Sequence, residues 1–405
     1  MKNLKCNFCG KSSKEAGLLI QGDMQNNFIP NICKKCVNVC LEIFDEKIST
    51  NEKSKKIKGS KRNKIYPRLI KEYLDLHVIG QEMPKAALSI AVANHFKRIG
   101  SNDHPDFKEV SLVKNNVLLV GPTGSGKTLM VKKLAEFLNV PLAMGDATCL
   151  TEAGYVGEDV ESLITTLLRN CDYDVTKAEK GIIYIDEIDK IARSMGNVSI
   201  TKDVSGEGVQ QALLKLIEGT VCNVAPQGGR KHPDQRFAQV DTSNILFIVG
   251  GTFSGIEEII SRRSNGGGMG FKKSYDEREL NQKVQPKDLV EFGMIPEFIG
   301  RFPLIQKLDR LTVSDLSRIM VEPKNAICKQ IRKQFALDDV DLNFTAEAIA
   351  QIAQAAFDLS TGARGLYQIT ENITFDYNFE IDKFKGQKLL IDEEYVKTKL
   401  YKKAA

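Results

Sequence analysis

The segment Gly121-Pro122-Thr123-Gly124-Ser125-Gly126-Lys127-Thr128 matches the G-x-x-x-x-G-K-[ST] pattern of a phosphate-cradling loop. It sits where such a loop must sit, after the apolar run Val117–Val120 and before Met130–Leu138, whose Val131, Leu134, Ala135 and Leu138 share one helical face. Glycines let successive backbone N–H groups turn inward around phosphate oxygens, and the helix start adds partial positive charge. Lys127 is placed to reach the β and γ oxygens, and the Thr128 hydroxyl to ligate Mg²⁺. The phosphate-contacting run extends to Leu129. Some fifty residues on, Ile182–Ile185 runs into Asp186 and Glu187. Alone, that acidic pair reads as a solvated turn. Joined to the phosphate loop, Asp186 becomes a Mg²⁺ holder and Glu187 the group that polarises an attacking water, because phosphoryl transfer needs positioning and charge compensation more than covalent chemistry. Asp189 is assigned a structural role.

A second chemistry lies at the start of the chain. Cys6 and Cys9, then Cys33 and Cys36, form two C-x₂-C knuckles separated by 23 residues. Four thiolates make a closed tetrahedral Zn²⁺ site with no open position for catalysis, and about 46 residues hold too small a core to fold without such a staple. Cys40 reads as a buried thiol, as do Cys149, Cys171, Cys222 and Cys328.

These groups need elements to position them. The runs Val117–Val120, Ile182–Ile185 and Ile245–Val249 have the continuous apolar character of parallel strands buried on both faces, with helical stretches between them. The fold class is therefore α/β. After Leu311 the pattern turns mainly helical, with helices expected over Ser314–Phe335, Thr345–Asp358 and Ala363–Phe379 and a strand over Lys388–Ile391. Arg262–Pro286, with a glycine cluster and no periodicity, reads as a long exposed loop. The divisions are a zinc-binding domain over 1–46, a flexible basic linker over 47–64, a large phosphate-loop domain over 65–310 and a small domain over 311–405. The linker holds eight basic residues against Glu52, a local +7, so the remainder of the +5 chain sums to about −2. A nucleic-acid motor is the rival reading, but it calls for a basic groove with stacking aromatics, and this basic run has none. At 405 residues, 42% hydrophobic and 27% charged, the chain is long enough for two or three ordinary globular domains. No signal-like start and no apolar run near the roughly 18 residues of a membrane span is present, so a cytoplasmic protein is expected.

Several longer strings resemble the ClpX family of AAA+ protein unfoldases, in order and over nearly the whole chain. They are the Cys33–Cys40 segment, Val78-Ile79-Gly80-Gln81, the phosphate loop, Gly154–Asp159, Ser205–Gln211, Arg230-Lys231-His232, Ile295–Arg301 and Gly362-Ala363-Arg364. The resemblance implies an AAA+ large domain built on a parallel sheet, a smaller mainly helical domain and an N-terminal zinc domain. It further implies an ATPase in a homo-hexamer that threads protein substrates through a central pore and delivers them to the ClpP peptidase, with ATP, Mg²⁺ and Zn²⁺ as cofactors. By the same resemblance, Val78 and Ile79 contact adenine, Thr252 takes a sensor position, Arg301 is a finger offered to the neighbouring subunit's ATP, and Arg364 reaches the nucleotide of its own chain. Tyr155 and Val156 grip substrate, Met195–Asp203 forms a second pore loop, and Arg230, Lys231 and His232 line the channel entrance. Met269-Gly270-Phe271 stands where the family's peptidase-docking loop carries an Ile-Gly-Phe type tripeptide. The zinc domain would bind adaptors and could dimerise. A remodeller working without a peptidase is the nearest alternative.

Overall fold

The apolar runs form strands in the computed structural model, which describes residues 5–12, 15, 18–21, 31–37, 65–100, 110–151, 158–193, 206–224, 238–264 and 283–401. In chain order the strands are β1 (Leu19–Gln21), β2 (Asn31–Cys33), β3 (Val117–Val120), β4 (Leu142–Asp146), β5 (Leu150–Thr151), β6 (Glu158–Asp159), β7 (Ile182–Asp186), β8 (Val221–Val224), β9 (Ala238–Asp241), β10 (Leu246–Gly251), β11 (Leu304–Lys307), β12 (Asp341–Phe344) and β13 (Lys388–Ile391). Internal contacts divide the chain into two units, Met1–Lys64 and Ile65–Ala405.

In the later unit, five parallel strands form one sheet in the order β11-β3-β10-β7-β4. The inner strands are apolar up to the Asp186 that ends β7, because both faces are covered. Leu118, Val120, Ile183, Ile185, Phe247 and Val249 join one cluster, with Leu163, Leu167, Val209, Leu213 and Ile256 from the helices Ser162–Arg169, Glu207–Glu218 and Ile256–Ser264. Their strand neighbours Val117, Leu119, Ile182, Tyr184, Leu246 and Ile248 face the other way. They pack with Ile70, Leu88, Val92, Val131 and Leu134 from Pro67–Asp75, Glu82–Gly100 and Lys127–Leu138. Each fully buried Leu or Ile stabilises this three-layer core by about 1.5–3 kcal/mol before entropy is counted.

A third cluster includes Leu316, Met320, Ile331, Phe335, Ile352, Leu366, Ile369 and Val396, backed by the parallel pair β12–β13. The helix expected over Ser314–Phe335 is two helices, Val313–Val321 and Ile327–Ala336. Pro323 causes the break, since a helix-interior proline removes a hydrogen bond and clashes with the preceding turn. Thr312 and Asp315 cap the first piece reciprocally, at 3.1 and 3.0 Å. The helices expected to end at Asp358 and to span Ala363–Phe379 do so.

Cys171, Cys222 and Cys328 are buried as expected, but Cys149 is exposed, because it ends a 3₁₀ turn at the sheet margin. Arg262–Ser264 close a helix, whereas 265–282 lie outside the described residues. So do Cys40 and the linker over 47–64. No helix among the described residues is long and apolar enough to cross a membrane.

Candidate functional site

The phosphate loop leaves the carboxyl end of β3, which lies between β10 and β11, while the chain goes on to β4 at the far edge of the sheet. Open parallel sheets bind ligands where successive connections part in this way. The loop is fastened at its start by the Gly121 N–H to Gly251 O bond of 3.0 Å. Gly124 and Gly126 then adopt φ of +75° and +102°, which a side chain would resist. Lys127 is buried and its Nζ donates to the carbonyls of Gly121 at 2.6 Å and Pro122 at 3.1 Å, so the ammonium lies inside the loop it would help to charge. Burial pulls its pKa below the usual lysine range, against the pull of Asp186 and Asp189.

The Thr128 hydroxyl donates to Asp186 Oδ2 at 2.8 Å. Two hard oxygen ligands from different elements thus meet at one point, a donor set that fits Mg²⁺. Asp186 Oδ1 accepts from the Glu187 N–H at 3.0 Å, and Glu187 itself has φ +56°. A non-glycine residue in this left-handed region stores about 1–2 kcal/mol of strain, and such strain collects at functional turns. Asp189 is buried and its Oδ1 accepts the Thr252 N–H at 2.9 Å. Its structural role is therefore to hold the β10 exit against the β7 exit.

A cleft of about 380 Å³ is lined by Thr123 to Leu129, Lys132, Asp186, Glu187, Thr252, Ala363 and Arg364. Ala363 and Arg364 start a helix of the third cluster, and they reach the cleft because two glycines touch. A Cβ on Gly124 would lie 2.7 Å from Thr361 O, and one on Gly362 2.9 Å from Thr123 O. Lys132 was not singled out from sequence, although it lies one helical turn beyond Thr128. Val78 and Ile79 are buried but do not line the cleft; Val78 lies 3.6 Å from the position of a Gly126 Cβ, beside the loop. Their segment is tied down twice. Lys85 Nζ donates to Val78 O at 3.2 Å, and Gln81 exchanges bonds of 2.8 and 3.0 Å with the backbone of Asp309.

Arg301 is absent from the cleft lining. Its guanidinium is half-exposed and pairs with Glu218, while its carbonyl accepts from Asn116 Nδ2 at 3.1 Å. Tyr155, Val156, Met195–Asp203, Arg230, Lys231, His232, Met269, Gly270 and Phe271 lie outside the described residues.

In the early unit, β1 and β2 pair antiparallel with Leu19 opposite Cys33. The knuckle turn closes through Gly10 N–H to Cys6 O at 2.8 Å, helped by Gly10 at φ +73°. The Sγ atoms of Cys6, Cys9, Cys33 and Cys36 all lie within 4.8 Å of one another, and Cys9 and Cys33 are 3.8 Å apart. A tetrahedral site with Zn–S bonds of about 2.3 Å has S···S edges of about 3.8 Å, so the set fits zinc. Burial pushes the Cys6 thiol up, but N–H groups of Cys9, Cys33 and Phe8 outweigh it and bring it down to about 6. The Cys36 N–H lowers Cys33, whereas burial and three neighbouring sulfurs push Cys36 up to about 12. Four thiols sharing one site release their last proton reluctantly unless a divalent cation takes its place.

Comparison with known proteins matches family models to both units. Residues 113–305 match the AAA domain (Cdc48 subfamily), residues 4–46 the ClpX C4-type zinc finger, and residues 311–374 the C-terminal, D2-small domain of ClpB protein. A Treponema denticola protein described as "ATP-dependent Clp protease ATP-binding subunit ClpX" is 50% identical over 399 residues, which cover 96% of this chain and 92% of the relative. With an AAA domain around the phosphate cleft and a four-cysteine zinc finger before it, the chain is an AAA+ ATPase that belongs to the ClpX family.

Proposed function

We propose that the chain is an ATP-driven protein unfoldase, working in the cytoplasm as a homo-hexameric ring that threads substrate polypeptides through a central pore and passes them to a ClpP-type peptidase. The observation that carries this is the cleft itself, where Lys127, Thr128, Asp186 and Glu187 of the sheet domain meet Arg364 of the helical domain across the Gly124–Gly362 contact. A nucleotide held there touches both bodies, so its hydrolysis can turn one against the other, a hinge-type motion of packed units. The proposed division at 310/311 falls just after Asp309, which Gln81 holds to the Val78–Ile79 segment.

Roles are proposed for the cleft residues from where they lie, and for the pore, entrance and docking loops from the family resemblance. Lys127 and the loop N–H groups would hold phosphate oxygens, and Thr128 with Asp186 would hold Mg²⁺. Bound there, Mg²⁺ would neutralise charge on the phosphates. Glu187 would orient and deprotonate water, with Thr252 beside it and Arg364 compensating charge from the small domain. Val78 and Ile79 would border the base. Arg301, half-exposed and away from its own cleft, is suited to reach a neighbour's cleft, where a finger supplied in trans is worth roughly 10³–10⁵ in rate. Tyr155 and Val156 would grip the chain in the pore, Arg230, Lys231 and His232 would screen it at the entrance, and Met269-Gly270-Phe271 would dock the peptidase. Met is apolar and close to Ile in volume, so the docking cleft loses shape complementarity rather than hydrophobic contact. The zinc unit would recruit adaptors and substrates and could dimerise.

Mixed rings test the arrangement. Arg301→Ala and Glu187→Gln subunits should each hydrolyse little ATP alone, yet regain turnover when mixed, because the first keeps an intact cleft and the second an intact finger. Additive, unrestored rates would refute action in trans.

A further inference from the structure

Gln210 is fully buried in the helix Glu207–Glu218, and its amide makes two bonds to distant backbone. Nε2 donates to Ile191 O at 2.7 Å, and Oε1 accepts from Ile295 N–H at 2.8 Å. Ile191 ends the turn Ile188–Ile191 that follows Glu187, the same turn that holds Thr252 through Asp189. Ile295 caps the short helix Pro296–Ile299, after which Arg301 N–H donates to Phe298 O at 3.1 Å. Phe298, Ile299 and Phe302 are buried, so Ile295 to Arg301 is one stiff piece. Two residues outside each piece, the backbones also meet: Arg193 N–H donates to Gly293 O at 3.0 Å, and a Cβ on Gly293 would sit 2.7 Å from Arg193 O. The far end of Gln210's own helix supplies Glu218, the partner of Arg301.

We infer that Gln210 is a positioning residue: its amide couples the turn behind Glu187 to the segment bearing Arg301, so that the state of a subunit's own cleft sets the placement of the finger it offers its neighbour. The inference rests on the proposal that Arg301 acts in trans. A buried amide that only filled two backbone valences would stabilise the fold without tying one catalytic position to another. Misplacing a reacting group by about 1 Å can cost 10²-fold in rate, so loss of the tether should appear in kcat rather than in nucleotide affinity.

Steady-state ATP hydrolysis by the full chain, read for kcat and KM from pH 6 to 8 beside wild type, tests this with two variants. Gln210→Met keeps the volume and loses both bonds; kcat should fall about tenfold or more and KM stay within about threefold. Gln210→Glu places a buried carboxyl whose pKa is raised by burial. Protonated, it donates to Ile191 O and accepts from Ile295 N–H as the amide does; ionised, it only accepts. Of the charged groups along its own helix and beside Ile191 in sequence, Glu207 pairs with Arg193, one charge of each sign. The kcat of Gln210→Glu relative to wild type should therefore rise about fivefold or more from pH 8 to pH 6, at constant KM. A flat ratio, or a change confined to KM, overturns the inference even if Gln210→Met fails to fold. In mixtures, Glu187→Gln subunits, which keep Gln210 and Arg301, should raise turnover per Gln210→Met subunit; no rise overturns the trans placement. Wild type that hydrolyses no ATP would overturn the proposed function itself, whereas active wild type with unaltered variants overturns this inference alone.

Discussion

Gly124→Ala should separate the two bodies that build the cleft. The added Cβ would lie 2.7 Å from Thr361 O, 3.1 Å from Ala363 N and 3.2 Å from Gly362 Cα, all backbone atoms that no rotamer can move. Ordinary contact begins at 3.4 Å, so the start of the helix bearing Arg364 must retreat by 3.4 − 2.7 = 0.7 Å. A second cost comes from φ +75°, about 1–2 kcal/mol for an L side chain. Gly126→Ala separates the two effects, because its φ is +102° but its Cβ would meet only Val78 Cγ1 at 3.6 Å. Gly126→Ala should therefore show strain alone, a loss of about 5- to 30-fold in nucleotide affinity if binding must supply that energy. Gly124→Ala should add a further kcat loss of about 10- to 100-fold, because Arg364 no longer sits where charge develops. Gly362→Ala, whose Cβ would be 2.9 Å from Thr123 O, should reproduce that kcat loss from the opposite side of the contact. Steady-state ATP hydrolysis and a fluorescent-nucleotide titration read both numbers. Equal kcat for the Gly124 and Gly126 variants would refute the claim that the contact, and not loop strain, places Arg364.

Metal analysis should find one zinc per chain bound by Cys6, Cys9, Cys33 and Cys36, and Cys9→Ser or chelation should unfold the early unit, given the ~10–16 kcal/mol that structural zinc supplies to such fingers. ATP hydrolysis should persist within about twofold, since all cleft residues lie in the later unit; a zinc-free chain with an intact early unit would contradict the assignment. His95 is fully buried; burial, with Arg98 and Lys114 adding repulsion, outweighs a hydrogen bond with the Asn244 backbone and holds its pKa down at about 3 against an ordinary 6.5. The folded pKa is depressed, so the unfolded chain binds the extra proton as pH falls through 6.5, and stability is lost progressively between 6.5 and about 3. At pH 5 this single group should cost about 2 kcal/mol, and His95→Phe should flatten denaturant midpoints across that window; an unchanged acid slope would refute it.

The parts legible in the sequence were those written in local spacing. The phosphate loop, the strand running into Asp186 and Glu187, and the two cysteine knuckles each lie within a few residues, and the inner strands announce themselves by being apolar on both faces. The edge strands β4 and β11 were missed because half-buried edges alternate weakly, and Pro323 was overlooked inside an otherwise helical pattern. Single arginines carry no spacing signal, so Arg301 and Arg364 were chosen through the family resemblance alone. The roles of Gln81 and Gln210, which lie inside strings of the family resemblance, were not legible, because their amides bond backbone 228 and 85 residues away, and only the folded topology brings those groups together.

The central claim is that hydrolysis at this cleft pulls protein chains. It is tested most directly by following the fluorescence of a stably folded, terminally tagged reporter with ATP, comparing wild type with Tyr155→Ala. The expected result is ATP-dependent loss of fluorescence with wild type and none with Tyr155→Ala, while both hydrolyse ATP. If neither protein unfolds the reporter although both turn over ATP, or if Tyr155→Ala unfolds it as fast as wild type, pore pulling by this residue is contradicted.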